Sequence, residues 1–330
     1  MPLRFPVLLL LVSCLVRAQD PVLLVLLKGA NALGFCTPEG KLLSSVAVGQ
    51  HPHEMVLSPD GRYAYTSDNG TMRIEHAGSG GNTISIVDLA ARKRTGEISL
   101  GEFRRPHGLD LDPKSGLLAV TCEAPDRLLI VDPVKRAVVK TFPTHGKSSH
   151  MVSWGPGGRW AYVSNAGSSS VAAVEISTGQ VKLIPTGERP EGSVLSADGT
   201  RVFVCNREAG AIAVIDTAKQ QVVGRISTGK GPVRIARTPD GRQLVYALMH
   251  ESKIEFADPV SLKVLGQAPL PAGPVVSLNV SQDGKLAFAS AEERDTVFVV
   301  SIAGRKLVRQ FQTAPGAAPD PVLSVRLGAK

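Results

Sequence analysis

Four residues of this 330-residue chain carry side chains suited to acid–base or metal chemistry and recur at a near-constant spacing. They are His53, His107, His150 and Glu191, separated by 54, 43 and 41 residues. Three imidazoles and a carboxylate make a familiar shell for one divalent transition metal (Zn, Cu, Mn or Fe), with a position left for water or substrate. Without a metal, the same groups can bind a ligand or exchange protons, because imidazole titrates near neutral pH. They can also simply hydrogen-bond loop carbonyls and stiffen the entry to a strand. The choice depends on whether the fold gathers them.

Each of the four stands just ahead of one pattern. HEMVLSPDGRYAYTS, HGLDLDPKSGLLAVTC, HMVSWGPGGRWAYVSN and EGSVLSADGTRVFVCN are followed by VRIARTPDGRQLVYAL and VSLNVSQDGKLAFAS. The turn glycines Gly61, Gly116, Gly158, Gly199, Gly241 and Gly284 fall at intervals of 55, 42, 41, 42 and 43 residues. SPDG-type turns supply the positive φ of a tight hairpin, and the flanking runs alternate as strands do. Third strands follow (TISIVDL, RLLIVDP, SVAAVEI, AIAVIDT, KIEFADP, TVFVVSI), then fourth strands such as QVVGRIST. Four strands in a period near forty residues make a propeller blade. The C-terminal DPVLSVRLG, ending at Gly328, is a further first strand, and VLLVLLKG, NALGFCTP and KLLSSVAVG near the N-terminus supply its missing partners. The expectation is an all-β, seven-bladed β-propeller of four-stranded antiparallel blades. Its ring is closed by the C-terminal strand with the N-terminal strands, and residues 19–330 form a single domain.

The units have the form G-x-x-P, then SPDG, then YV-x-N and T-x-x-V-I-D, and they resemble the YVTN-repeat β-propellers, which are WD40-like in architecture. GRWAYVSN, GTRVFVCN and IAVIDT carry the resemblance best, and it spans Gln19 to Lys330. It implies an exported bacterial propeller, since relatives include surface-layer and periplasmic binding propellers. Similar seven-bladed folds also serve lactonases, lactonising cycloisomerases and metal-dependent lyases, so the resemblance implies architecture rather than activity.

In a propeller the first strand of each blade is innermost and starts at one mouth of the central channel. Eight residues before each turn glycine, or nine in the second unit, stand His53, His107, His150, Glu191, Val233, Val276 and Asp320. These are expected to converge, and Asp320 joins the ligand-binding candidates. Loops between second and third strands surround the same mouth. There Glu123 and His250 depart from the repeat and are candidate acid–base partners, while Arg207 could bind a substrate carboxylate in a bidentate way. The first of these loops, DNGTMRIEHAGSGGN, carries ten extra residues. It suits a lid or substrate wall, with His76 reaching inward. His51 has no repeat-mate and is expected to be structural.

Residues 1–18 look like an export signal: Arg4 gives a basic start, Val7 to Val16 an apolar run, and Val16-Arg17-Ala18 a cleavage site before Gln19. Leu11-Val12-Ser13-Cys14 also fits a lipobox, which would make Cys14 a lipid anchor and the only membrane attachment. Either version puts the folded part in the periplasm or outside the cell. Without Arg4 and Arg17, 35 basic residues face 29 acidic ones, a scattered excess. Aromatics at 5% are poor material for base stacking, which disfavours nucleic acid as a partner. Cys36, Cys122 and Cys205 are an odd set without paired spacing, and Cys122 and Cys205, which end apolar strand-like runs, read as buried thiols. No G-x-S-x-G, P-loop, dinucleotide fingerprint or C-x-x-C-H occurs. The leading expectation is a binding propeller that takes a small molecule, metal or protein at the mouth. Its rival is a metal-dependent hydrolase, lactonase or lyase on the same scaffold, and a purely structural surface propeller is the third.

Overall fold

A computed structural model describes residues 21–76 and 78–327. The expected signal segment with Cys14, and Gly328, lie outside the described residues. The chain forms seven four-stranded antiparallel sheets arranged as a β-propeller. Blade one comprises Pro52–Leu57, Tyr63–Asp68, Thr83–Asp88 and Lys93–Ser99. Blades two to six begin with the strands Arg104–Leu111, Ser149–Trp154, Pro190–Leu195, Pro232–Arg237 and Ser277–Val280. In blade seven Pro319–Val325 pairs with Val22–Leu27, in register from Val22 opposite Val325, and then come Ala32–Cys36 and Leu42–Ala47. Joining the two ends of the chain in one sheet leaves no open inner edge.

The turn sequence explains four of the first hairpins by one device. Ser58 Oγ donates to Asp60 Oδ1 at 2.6 Å, and the Arg62 N–H donates to the same oxygen at 3.0 Å. Gly61, at φ 68°, closes the turn onto the Ser58 carbonyl. Ser196 with Asp198, Thr238 with Asp240 and Ser281 with Asp283 repeat the device. These aspartates are therefore turn residues.

First strands of successive blades touch in a closed ring and line the channel. Their neighbours pack face to face between blades: Ile84, Ile86 and Ile98 of blade one meet Leu118, Val120 and Leu129 of blade two in one buried cluster. Fourth strands alternate between exposed and partly buried residues, as an outer edge must. Cys122 and Cys205 are buried free thiols, as expected, and so is Cys36. Among the described residues no helix is long and apolar enough to cross a membrane.

A second repeat concerns the backbone. Two residues before each channel-facing position the chain enters the left-handed region: His51 at φ 41°, Arg105 at 56°, Ser148 at 55°, Arg189 at 54°, Gly231 at 77° and Ala318 at 48°. Only blade six differs, with Pro274 there. The kink turns the incoming loop down into the channel. His51 thus has repeat-mates in backbone conformation, though none in side-chain type. It is held by Asn31 Oδ1 on its N–H at 2.8 Å and by its Nδ1, 3.3 Å from the Lys28 carbonyl.

Candidate functional site at the channel mouth

All seven channel-facing positions, His53, His107, His150, Glu191, Val233, Val276 and Asp320, line one cavity of about 230 Å³. The three histidines, Glu191 and Asp320 are buried. Close approach of the inner strands makes this possible. A Cβ on Gly108, just after His107, would lie 2.5 Å from the His150 carbonyl oxygen, so only glycine lets blades two and three approach that closely.

The histidines form a contiguous group. The rings of His53 and His107 meet edge to face with centroids 4.5 Å apart, and those of His107 and His150 are tilted together at 3.9 Å. His53 Nε2 lies 2.7 Å from the Thr71 carbonyl oxygen, and His107 Nδ1 lies 2.8 Å from Glu123 Oε1. The two remaining nitrogens, His53 Nδ1 and His107 Nε2, face each other at 3.4 Å. His150 Nδ1 is buried without a partner. Burial, then the nearby Lys28 and His107, holds His53 well below its ordinary pKa. His150 is also lowered, by burial and then by His107 and three guanidinium groups. Both are neutral at physiological pH.

Charges around the histidines are paired. Glu191 Oε1 accepts from Arg189 Nε and from Arg207 Nη1, each at 3.0 Å. Lys28 reaches Asp320 at 2.9 Å and also pairs with Glu292. Burial and the neighbouring Asp320 carboxylate push the Glu292 carboxyl up to about 8, against the pull of Lys28. Arg234, buried at 8% exposure, pairs with Glu54 at 2.5 Å across the ring. Arg234 borders both the mouth cavity and a second cavity of about 450 Å³ deeper in the channel, which Glu54 also lines. The pair forms a septum between the two.

The long loop of blade one covers the mouth. Met72, Arg73, Ile74 and Glu75 line the cavity, and the loop crosses to distant blades through Glu75 with Arg189 and Arg73 with Glu293. Arg105 fastens its base: Nη2 donates to the Ile74 carbonyl at 2.7 Å, Nη1 to the His76 carbonyl at 2.9 Å, and Nε to Glu123 at 2.8 Å. A circuit of contacts results, running from Thr71 through His53, His107, Glu123 and Arg105 back to the loop at Ile74, hydrogen-bonded except where His53 Nδ1 and His107 Nε2 face each other.

The residues singled out from sequence divide accordingly. His53, His107, His150, Glu191, Arg207 and Asp320 share the cavity. Glu123 lies behind it, its side chain 5% exposed, orienting His107 and tethering Arg105. His250 is exposed and away from the lining, and His76 reaches the site through its backbone carbonyl, its side chain being exposed. Sequence reasoning places Glu292 in a loop at the mouth without giving it a role, and it missed Lys28, Arg189 and the Glu54–Arg234 pair. Lys28 directly follows the second strand of blade seven, as Glu292 follows that of blade six, so extending the loop position to blade seven would have found it.

No family model matches the chain, and no curated protein matches it significantly. Solved structures do share its fold. Kuenenia stuttgartiensis hydrazine synthase aligns with a TM-score of 0.68 at 19% identity over 84% of this chain and 91% of that one. The Myceliophteria thermophila Cps50 (Swd1) β-propeller domain aligns at 0.70 and 13% identity, over 82% and 88%. The dihydro-heme d1 dehydrogenase NirN, solved in complex with DHE, aligns at 0.65 and 15% identity, over 91% and 74%. Enzymes and a propeller domain thus appear among the neighbours, and at these identities the likeness concerns the fold.

Proposed function

We propose that the chain is an exported YVTN-type propeller that captures a small molecule in the channel mouth beneath the blade-one loop. The observation that carries this reading is the convergence of all seven channel-facing residues on one lidded cavity. Its volume of about 230 Å³ is below the roughly 300–1,000 Å³ of drug-sized sites. The lid lies where a docking protein would need access, so a small molecule fits better than a protein partner. The walls suggest its chemistry. Buried ion pairs of both signs stand opposite an apolar side made by Met72, Ile74, Val233, Met249, Pro274 and Val276. That combination suits a compact polar molecule with a short apolar body, such as an amino acid or hydroxy acid.

An enzymatic reading draws its support from Glu292. A carboxyl pushed up to about 8 beside the ionised Asp320 is a proton donor at neutral pH. Glu292 therefore suits a general acid better than Glu123, whose oxygens are engaged by Arg105 and His107. The test of capture is a thermal-shift screen of amino acids, hydroxy acids and dicarboxylates on the parent and on Val276→Phe, which fills the cavity. Stabilisation of the parent alone is the expected result. Equal stabilisation of both proteins would place the ligand elsewhere and overturn the proposal.

A further inference from the structure

We propose that His53 and His107, with His150 as third donor, bind a late first-row divalent cation, Zn²⁺ or Cu²⁺, through His53 Nδ1 and His107 Nε2. The proposal rests on the mouth being a binding site, but not on which small molecule it takes.

Tautomers come first. A carbonyl oxygen only accepts, so the His53 Nε2 bonded to Thr71 carries the proton and Nδ1 carries a lone pair. A carboxylate only accepts, so the His107 Nδ1 bonded to Glu123 carries the proton and Nε2 carries a lone pair. The two nitrogens facing each other at 3.4 Å are therefore both lone pairs. With nothing between them this contact is repulsive. A proton shared between them would draw a charge-assisted bond in to about 2.7–2.9 Å. A tetrahedral ion about 2.0–2.1 Å from each nitrogen instead sets them about 3.3–3.4 Å apart, which is the separation found. Backbone and carboxylate partners on the far nitrogens are also the usual outer support of metal-bound histidine.

The third donor is His150. Its ring lies against His107, and among the described residues no hydrogen bond restrains its side chain, with Nδ1 buried and unpartnered. Among the described residues no three His, Cys, Asp or Glu already enclose a metal position, so His150 must turn about its own side-chain torsions to complete the set. Glu191 stays out of the shell, because Arg189 and Arg207 hold it. An all-imidazole set favours Zn²⁺ and Cu²⁺ over Mn²⁺ or Fe²⁺. Nearby cations would repel a second positive charge, but each is offset: Lys28 by Asp320, Arg105 by Glu123, Arg234 by Glu54.

The experiment uses the full chain without a histidine tag, stripped with chelator and titrated with Zn²⁺, Cu²⁺ or Co²⁺ alone. The expected result is one equivalent bound, with the intense visible bands of tetrahedral Co²⁺. His53→Ala, His107→Ala and His150→Ala should each abolish those bands. Glu123→Gln, which keeps the shape and so the fold, should weaken Zn²⁺ binding about 10–100-fold. Absence of uptake by the parent, or equal uptake by Glu123→Gln and the folded histidine variants, overturns the proposal. Metal binding without any hit in the small-molecule screen would sink the capture reading alone, and the reverse pattern would sink the metal site alone.

Discussion

The septum offers the sharpest test of how this channel is stabilised. Arg234 and Glu54 come from blades five and one, 180 residues apart in sequence, and meet with side chains 10% and 12% exposed. Replacing Arg234 with Met leaves Glu54 buried without its cation, and breaking a buried pair in this way costs about 3–5 kcal/mol. Burial already pushes the Glu54 carboxyl up, against the pull of Arg234. With Arg234 gone its pKa rises further, and the folded state prefers the protonated form. The sign follows: the deficit of Arg234→Met is small below the ordinary carboxylate range and grows as pH rises through the raised value. The double variant Arg234→Met with Glu54→Leu removes both charges and should return to within about 1–2 kcal/mol of the parent. Urea unfolding of the parent, Arg234→Met, Glu54→Leu and the double variant at pH 5 and pH 8, followed by the fluorescence of Trp154 and Trp160, gives the coupling energy. A double variant no more stable than the worse single one, or an Arg234→Met deficit independent of pH, would refute the assignment of the cost to a stranded buried charge.

Three further outcomes are expected. Glu292, raised to about 8, contributes stability that is full below the ordinary carboxylate pKa and is lost as pH rises through about 8; Glu292→Gln should flatten that part of the Tm-against-pH curve, and coincident curves would count against it. Arg105→Ala removes the lid's basal hydrogen bonds, so trypsin should cut after Arg73 at least about tenfold faster, equivalent to about 1.4 kcal/mol of closing energy; an unchanged rate would show that the ion pairs to Arg189 and Glu293 suffice. Gly108→Ala forces its new Cβ against the His150 carbonyl, and a loss of roughly 1–3 kcal/mol in chemical unfolding is expected, whereas a neutral effect would mean the inner strands can separate freely.

The ring was legible in the sequence because it is made of local signals repeated. SPDG turns and alternating strands specify each hairpin within some fifteen residues, and closure follows from the one first strand left unpartnered at the C-terminus. Convergence of His53, His107, His150, Glu191 and Asp320 followed from the same period. Pairings across the channel were not legible. Nothing near Glu54 signals Arg234, and nothing in the loop sequence signals that Glu75 would reach Arg189. The left-handed kink was hidden for another reason. It is occupied by histidine, arginine, serine, glycine and alanine in turn, so backbone geometry repeats where residue type does not. His250 misled because exposure is decided by the path of its loop, which periodicity does not encode.

The circuit from Thr71 through the two histidines to Arg105 has a consequence for timing. Loop and imidazoles share hydrogen bonds at both ends of the circuit, so neither can be disturbed without the other feeling it. An occupant that steadies His53 steadies the flap's first residue, and a flap that lifts slackens the ring that grips the occupant. By reciprocity of linked equilibria the two effects are equal in size. Entry and retention are thereby separated. An empty mouth is the looser and more easily opened one, while a filled mouth fastens itself, so dwell time should lengthen with occupancy of the imidazoles even where the arrival rate does not change.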